Sequence, residues 1–195
     1  MKHSLSVLAM ATSLLLSAPL AQATMITYHA DLTGPSESPS NASPAIGSAT
    51  VTIDDVLDTM RVVAIFSGLT GTTSAAHIHC CTAAPLTGTA GVATTTPNFP
   101  GFPAGVTSGT YDMTFDMTLA SSYNAAFIAA NGGIPATAEA ALFAGMAAGK
   151  SYFNIHTTTF GGGEIRGFLA VPEPLSLALV GIALVGLGFS RRKTA

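Results

Sequence analysis

Gly109-Thr110-Tyr111-Asp112-Met113-Thr114-Phe115-Asp116-Met117-Thr118-Leu119 alternates from end to end. Successive side chains of an extended chain point to opposite faces, so Tyr111, Met113, Phe115, Met117 and Leu119 share one face and the Thr and Asp side chains the other. That pattern predicts a strand covered on one side only. Residues 25–32 repeat it with Ile26, Tyr28, Ala30 and Leu32. Working outward, residues 34–44 are rich in Pro, Ser and Gly and read as a loop. Residues 46–54 and 60–66 are β-prone runs joined by a hairpin turn over Asp54, Asp55 and Asp58. Ser67-Gly68-Leu69-Thr70-Gly71 forms a second turn, and residues 74–80 a short strand. Residues 85–105 make a long Pro/Gly loop with a short strand near 91–94. Residues 151–157 and 164–170 give two late strands joined at Gly161-Gly162-Gly163.

Two Ala-rich segments, residues 122–130 and 137–148, break the β pattern and predict helices. Asn131-Gly132-Gly133 and Gly149 are their stop signals, and Thr137 is a candidate N-cap. Many short strands with a small helical insert predict a mainly β fold, an antiparallel sandwich or barrel.

Charged residues make up 9% of the chain and the net charge is -3, so there is no basic footprint for nucleic acid. Both ends read as addresses. Met1-Lys2-His3, an apolar stretch around Leu14-Leu15-Leu16 and Ala21-Gln22-Ala23 have the form of a signal peptide over residues 1–23, cut by signal peptidase. An uncleaved N-terminal anchor is the alternative; the short apolar run and well-placed cleavage site argue against it. At the other end stand Pro172-Glu173-Pro174, an uncharged run over residues 175–189, and Arg191-Arg192-Lys193. As a helix that run spans about 22 Å, short of a hydrocarbon core of about 30 Å. It reads as a single transmembrane helix with its basic cluster on the cytoplasmic side, either a plain anchor or one that a protease removes.

The tail, residues 171–195, resembles the bacterial PEP-CTERM sorting signals through Val171-Pro172-Glu173-Pro174, Gly186-Leu187-Gly188 and Arg191-Arg192. The resemblance implies a Gram-negative bacterium, processing by an exosortase, and delivery to the cell surface or an exopolysaccharide matrix. Between the two signals, residues 24–170 are long enough for one domain.

Three clusters in that domain carry chemistry. In Ala76-His77-Ile78-His79-Cys80-Cys81, His77 and His79 share a strand face. Two imidazoles on one face can chelate a metal, and nearby thiolates favour zinc or copper. In Asn154-Ile155-His156-Thr157, Asn154 and His156 share a face, making His156 a candidate third ligand. In Glu164-Ile165-Arg166, Glu164 and Arg166 share a face and predict a structural polar pair. The histidines read equally as buried polar groups bonded to backbone or to each other. Cys80 and Cys81, the only cysteines, could bond each other, pair between chains, or join a metal site.

The domain also resembles CHRD domains, through Ser67-Gly68-Leu69 before Ala76-His77-Ile78-His79, then the run from Ala148 to Thr157, then Gly163-Glu164-Ile165-Arg166-Gly167. The resemblance implies an all-β, sandwich-like fold and no particular activity. The Gly-Leu turn before His-x-His is distantly similar to the copper-binding strand of copper-zinc superoxide dismutases. That likeness implies metal-ligand roles for His77 and His79, but no counterpart exists of the zinc-binding loop or the Arg-bearing loop. The expectation is an exported, non-enzymatic surface or matrix protein of the exopolysaccharide or biofilm layer. The alternative is an extracytoplasmic copper- or zinc-binding or redox protein using His77, His79, His156 and Cys80 or Cys81.

Overall fold

A computed structural model describes residues 25–172. Its elements are β1 (Met25–Thr33), β2 (Ile46–Asp54), β3 (Thr59–Ser67), β4 (Thr73–His79), β5 (Gly109–Asp116), α1 (Ala125–Ala130), α2 (Pro135–Ala147), β6 (Tyr152–Thr157) and β7 (Ile165–Phe168). The strands form one seven-stranded sheet in the order β4-β6-β7-β1-β2-β3-β5, with every pair antiparallel. The expected antiparallel β architecture is therefore a half-barrel made from a single sheet.

Register turns the alternation of the sequence into a core. Tyr28 lies opposite Val51, Val51 opposite Val62, and Val62 opposite Met113. The next row runs Ala30, Ala49, Ala64, Tyr111. A one-residue slip would expose every one of these side chains, so the buried face fixes the pairing. The two sheet ends, β4 and β5, are bridged by the long loop rather than by each other. Phe99 N–H donates to Ala76 O (3.2 Å) and the Asn98 side chain accepts from Ala76 N–H (2.7 Å). The Phe99 ring lies 5.3 Å from Phe115 and 5.8 Å from Phe153, and Phe102 stacks on Phe66 at 5.5 Å. These aromatic contacts close the core between the first and last strands of the sheet.

Several boundaries differ from expectation; β7, for one, is Ile165–Phe168 where residues 164–170 were expected. β5 stops at Asp116, not residue 119, because the Asp116 carboxylate accepts from Thr118 N–H (2.9 Å) and its hydroxyl (2.6 Å) and turns the chain. Met117 stays buried, but Leu119 is exposed. The first helical segment splits into a 3-10 turn (Ala120–Ser122) and α1, because the Asn124 side chain caps Ala126 N–H at 3.0 Å. α2 starts at Pro135, whose fixed φ suits a first helical position. Thr137 lies inside the first turn, donating to Ile134 O, and is not the cap.

The strands differ in how they are covered. β1 and β3 alternate buried and exposed residues, whereas β6 is buried on nearly every residue. Its second face, shared with β4 and β7, lies under the loops that carry Glu37, Ala90 and Pro97. No helix among the described residues is long and apolar enough to cross a membrane. The expected signal peptide (residues 1–23) and tail helix lie outside the described residues, as do Glu173, Pro174, Arg191 and Arg192; Pro172 is exposed.

Candidate metal centre

The covered face of β4, β6 and β7 carries His77, His79, Tyr152, Asn154, His156 and Arg166. Register places His77 opposite Asn154, and Asn154 opposite Arg166. His79 lies opposite Tyr152, and Ala75 opposite His156. The His-x-His spacing and the Asn-x-His spacing thus meet on one surface, as the period of two requires.

Each imidazole is oriented by a backbone carbonyl. His77 Nε2 bonds Pro97 O at 2.6 Å, His79 Nδ1 bonds Ala90 O at 2.9 Å, and His156 Nδ1 bonds Gly161 O at 2.9 Å. A carbonyl only accepts, so each of those nitrogens carries the hydrogen. In the neutral ring the other nitrogen is then a bare lone pair. Those nitrogens are His77 Nδ1, His79 Nε2 and His156 Nε2, and all three are buried without a hydrogen-bond partner. One ligand nitrogen from each ring lies within 4.8 Å of the other two. Nitrogens about 2.0–2.1 Å from a tetrahedral ion sit about 3.3 Å apart, so a bound ion would draw the three rings closer together.

Electrostatics favour the ligand form. Burial lowers the pKa of His77 and His156 and pushes His79 down to about 4, outweighing the bonds to carbonyls, which act the other way. The rings are neutral at neutral pH, the state in which imidazole ligates metal. His79 is further fixed by stacking on Tyr152 at 4.7 Å, and the Arg166 guanidinium lies over the Tyr152 ring, 4.7 Å from its centroid.

Two expectations for this region are corrected. Cys80 and Cys81 are joined to each other in a vicinal disulfide, so neither offers a thiolate, and the metal-competent group holds only the three histidines. Both sulfurs pack on the backbone of Gly145 in α2, where any Cβ would overlap them. Glu164 and Arg166 do not pair either. Arg166 instead faces Glu37 (3.8 Å) and donates to Ser36 O (2.6 Å). Glu164, fully buried, accepts from the hydroxyls of Ser43 (2.7 Å), Thr70 (3.0 Å) and Thr157 (2.6 Å) and the N–H groups of Thr70 (2.6 Å) and Gly71 (3.2 Å). Burial raises its pKa, but these donors outweigh that and hold it below the ordinary carboxylate range.

Sequence reasoning missed Glu37. It sits in the Pro/Ser-rich loop yet is 7% exposed, and its Oε1 accepts from Asn154 Nδ2 at 2.5 Å. Burial pushes its pKa up to about 7, against the opposing pull of Arg166, Asn154 and the Ser38 N–H. The one signal that could have flagged it is scarcity: with only 10 acidic residues in the chain, a Glu in a loop is rarely idle.

No curated protein and no solved structure matches this chain. Two family models do. A PEP-CTERM protein-sorting motif matches residues 170–193, which marks an exported protein sorted by an exosortase. The CHRD domain model matches residues 28–169, all of the half-barrel but the first residues of β1 and including its histidine cluster, and the chain therefore belongs to the CHRD-domain family.

Proposed function

We propose that this protein is an exosortase-sorted surface protein whose CHRD domain is a non-enzymatic binding module holding one copper or zinc ion through His77, His79 and His156. One observation carries the reading: three neighbouring imidazoles, with ligand atoms within 4.8 Å of one another, each have one nitrogen anchored on a carbonyl and the other buried without a partner. A buried polar atom without a partner is costly, and three in one place argue for a shared occupant. A metal would satisfy all three, and carbonyl-oriented imidazoles are the usual support for such an ion. An all-nitrogen set suits zinc and copper, and a fourth position stays open to water or another ligand.

The sorting motif supports a second layer of the reading, a component of the cell-surface or exopolysaccharide layer of a Gram-negative bacterium. The tail then serves as a membrane anchor that is retained or cut during sorting. Metal analysis of the mature chain beside a His77→Ala/His79→Ala double variant tests the module. About one ion per wild-type chain and none in the variant is expected; equal, negligible metal in both would sink the reading. Removal of residues 172–195 should abolish surface retention in cells, and unchanged retention would refute the sorting role.

A further inference from the structure

Six buried side-chain atoms among the described residues lack a hydrogen-bond partner, and four lie on one sheet face. Three are the histidine nitrogens; the fourth is Asn154 Oδ1. Asn154 is 2% exposed, stands directly opposite His77 across β4 and β6, and precedes His156 by two residues on the same face. Its amide is not free to turn. Nδ2 donates to the Glu37 carboxylate at 2.5 Å, and Glu37 is in turn held opposite Arg166 at 3.8 Å. With Glu37 ionised, as it is above about pH 7, a flip would set the amide oxygen against a carboxylate oxygen. Gly163, at φ 130°, leaves the room: a Cβ there would come within 2.6 Å of both Asn154 Nδ2 and Glu37 Oε1. A backbone conformation that L side chains rarely adopt thus lets a carboxylate lock an amide whose acceptor end has nothing to accept.

We infer that Asn154 is the hydrogen-bond acceptor of the metal centre, selecting for a ligand with an O–H or N–H, water first, in the position that the three histidines leave open. This rests on the reading of His77, His79 and His156 as metal ligands. Glu37 and Arg166 are positioning residues that hold Asn154 and touch no ligand themselves. The arrangement is one of specificity: a water gains a bond to Oδ1 that a pure acceptor anion cannot make.

Azide is such an anion, and cobalt(II) reports its binding by absorption. The full mature chain loaded with cobalt(II) would be titrated with azide, beside Asn154→Leu and the strand-compatible Asn154→Val. Both variants should keep one cobalt per chain and bind azide about tenfold more tightly than wild type, the scale on which a second-sphere partner acts. Azide dissociation constants within about twofold of wild type in every folded variant overturn the acceptor role, being far below that scale. Cobalt lost from both folded variants even at saturating metal overturns it as well, because an acceptor outside the ligand set weakens metal affinity by about 10–100-fold but does not decide stoichiometry. No cobalt on the wild type refutes the three-histidine reading itself, and this inference with it.

Discussion

The two ends of the sheet are built on different plans. β1, β2, β3 and β5 bury one face and show the other to solvent, so Phe66 is 2% exposed while its neighbour Ile65 is 56% exposed. β4, β6 and β7 bury both faces, an apolar one with Ile78, Phe153, Ile155 and Ile165 and a polar one with His77, His79, Asn154 and Arg166. The contrast teaches where to look for function. The first region repeats what stability alone requires. The second takes polar groups out of water, which costs free energy unless each is paired, and leaves four of them unpaired side by side.

The largest expected effect lies in the single-faced region. Phe66→Ala should cost about 3–5 kcal/mol in denaturant unfolding, because the cavity sits beside Phe102 and the site collapses poorly. Next comes the doubly covered region, where Glu164→Gln should cost about 2–3 kcal/mol. That change leaves hydroxyls and N–H groups facing an amide NH2 that cannot accept, and a cost below about 0.5 kcal/mol would show that the five-donor cradle is dispensable.

Acid and base should also act on the polar region, with opposite signs. Glu37 has a folded pKa near 7, above its ordinary 4.5, so the folded state binds the proton more tightly. Its contribution is present below pH 4.5 and is lost as pH rises toward 7. Glu37→Gln should therefore gain stability relative to wild type across that window, as read from unfolding midpoints. The histidines work the other way. With His79 pushed from 6.5 to about 4, their contribution is present above 6.5 and lost as pH falls toward 4. His79→Leu should blunt that acid loss; an unchanged acid profile would mean that the ring is not held neutral by burial.

The smallest effect is the control. Ile65→Ala, on the open face, should change stability by no more than about 0.5 kcal/mol. A larger loss would mean that this face is covered and that the contrast between the two regions is overdrawn.

How much of this was legible follows from the same contrast. Alternation at Ile26, Tyr28, Ala30 and Leu32 reports a single buried face, and the strands it predicted pair in the register it requires. Where both faces are buried, alternation still tells which residues share a surface, and it placed His77 with His79 and Asn154 with His156. It says nothing of what covers that surface. The Glu37 contact to Asn154 spans 117 residues and the His77 contact to Pro97 crosses a long loop, so neither leaves a local trace. Arg166 and Glu164 were assigned to each other, because the loop residues that partner them instead, Glu37 and Ser43, come from far along the chain. The end of β5 was misjudged for a local reason: Asp116 folds the chain back on itself with the apolar rhythm still running.

In the proposed centre three imidazoles, and no sulfur, hold one ion. X-ray absorption at the zinc edge of the zinc-loaded chain tests it most directly. The expected first shell is nitrogen and oxygen at about 2.0–2.1 Å with the multiple scattering of three imidazoles. A sulfur shell near about 2.3 Å, or fewer than three imidazoles per zinc, would contradict it.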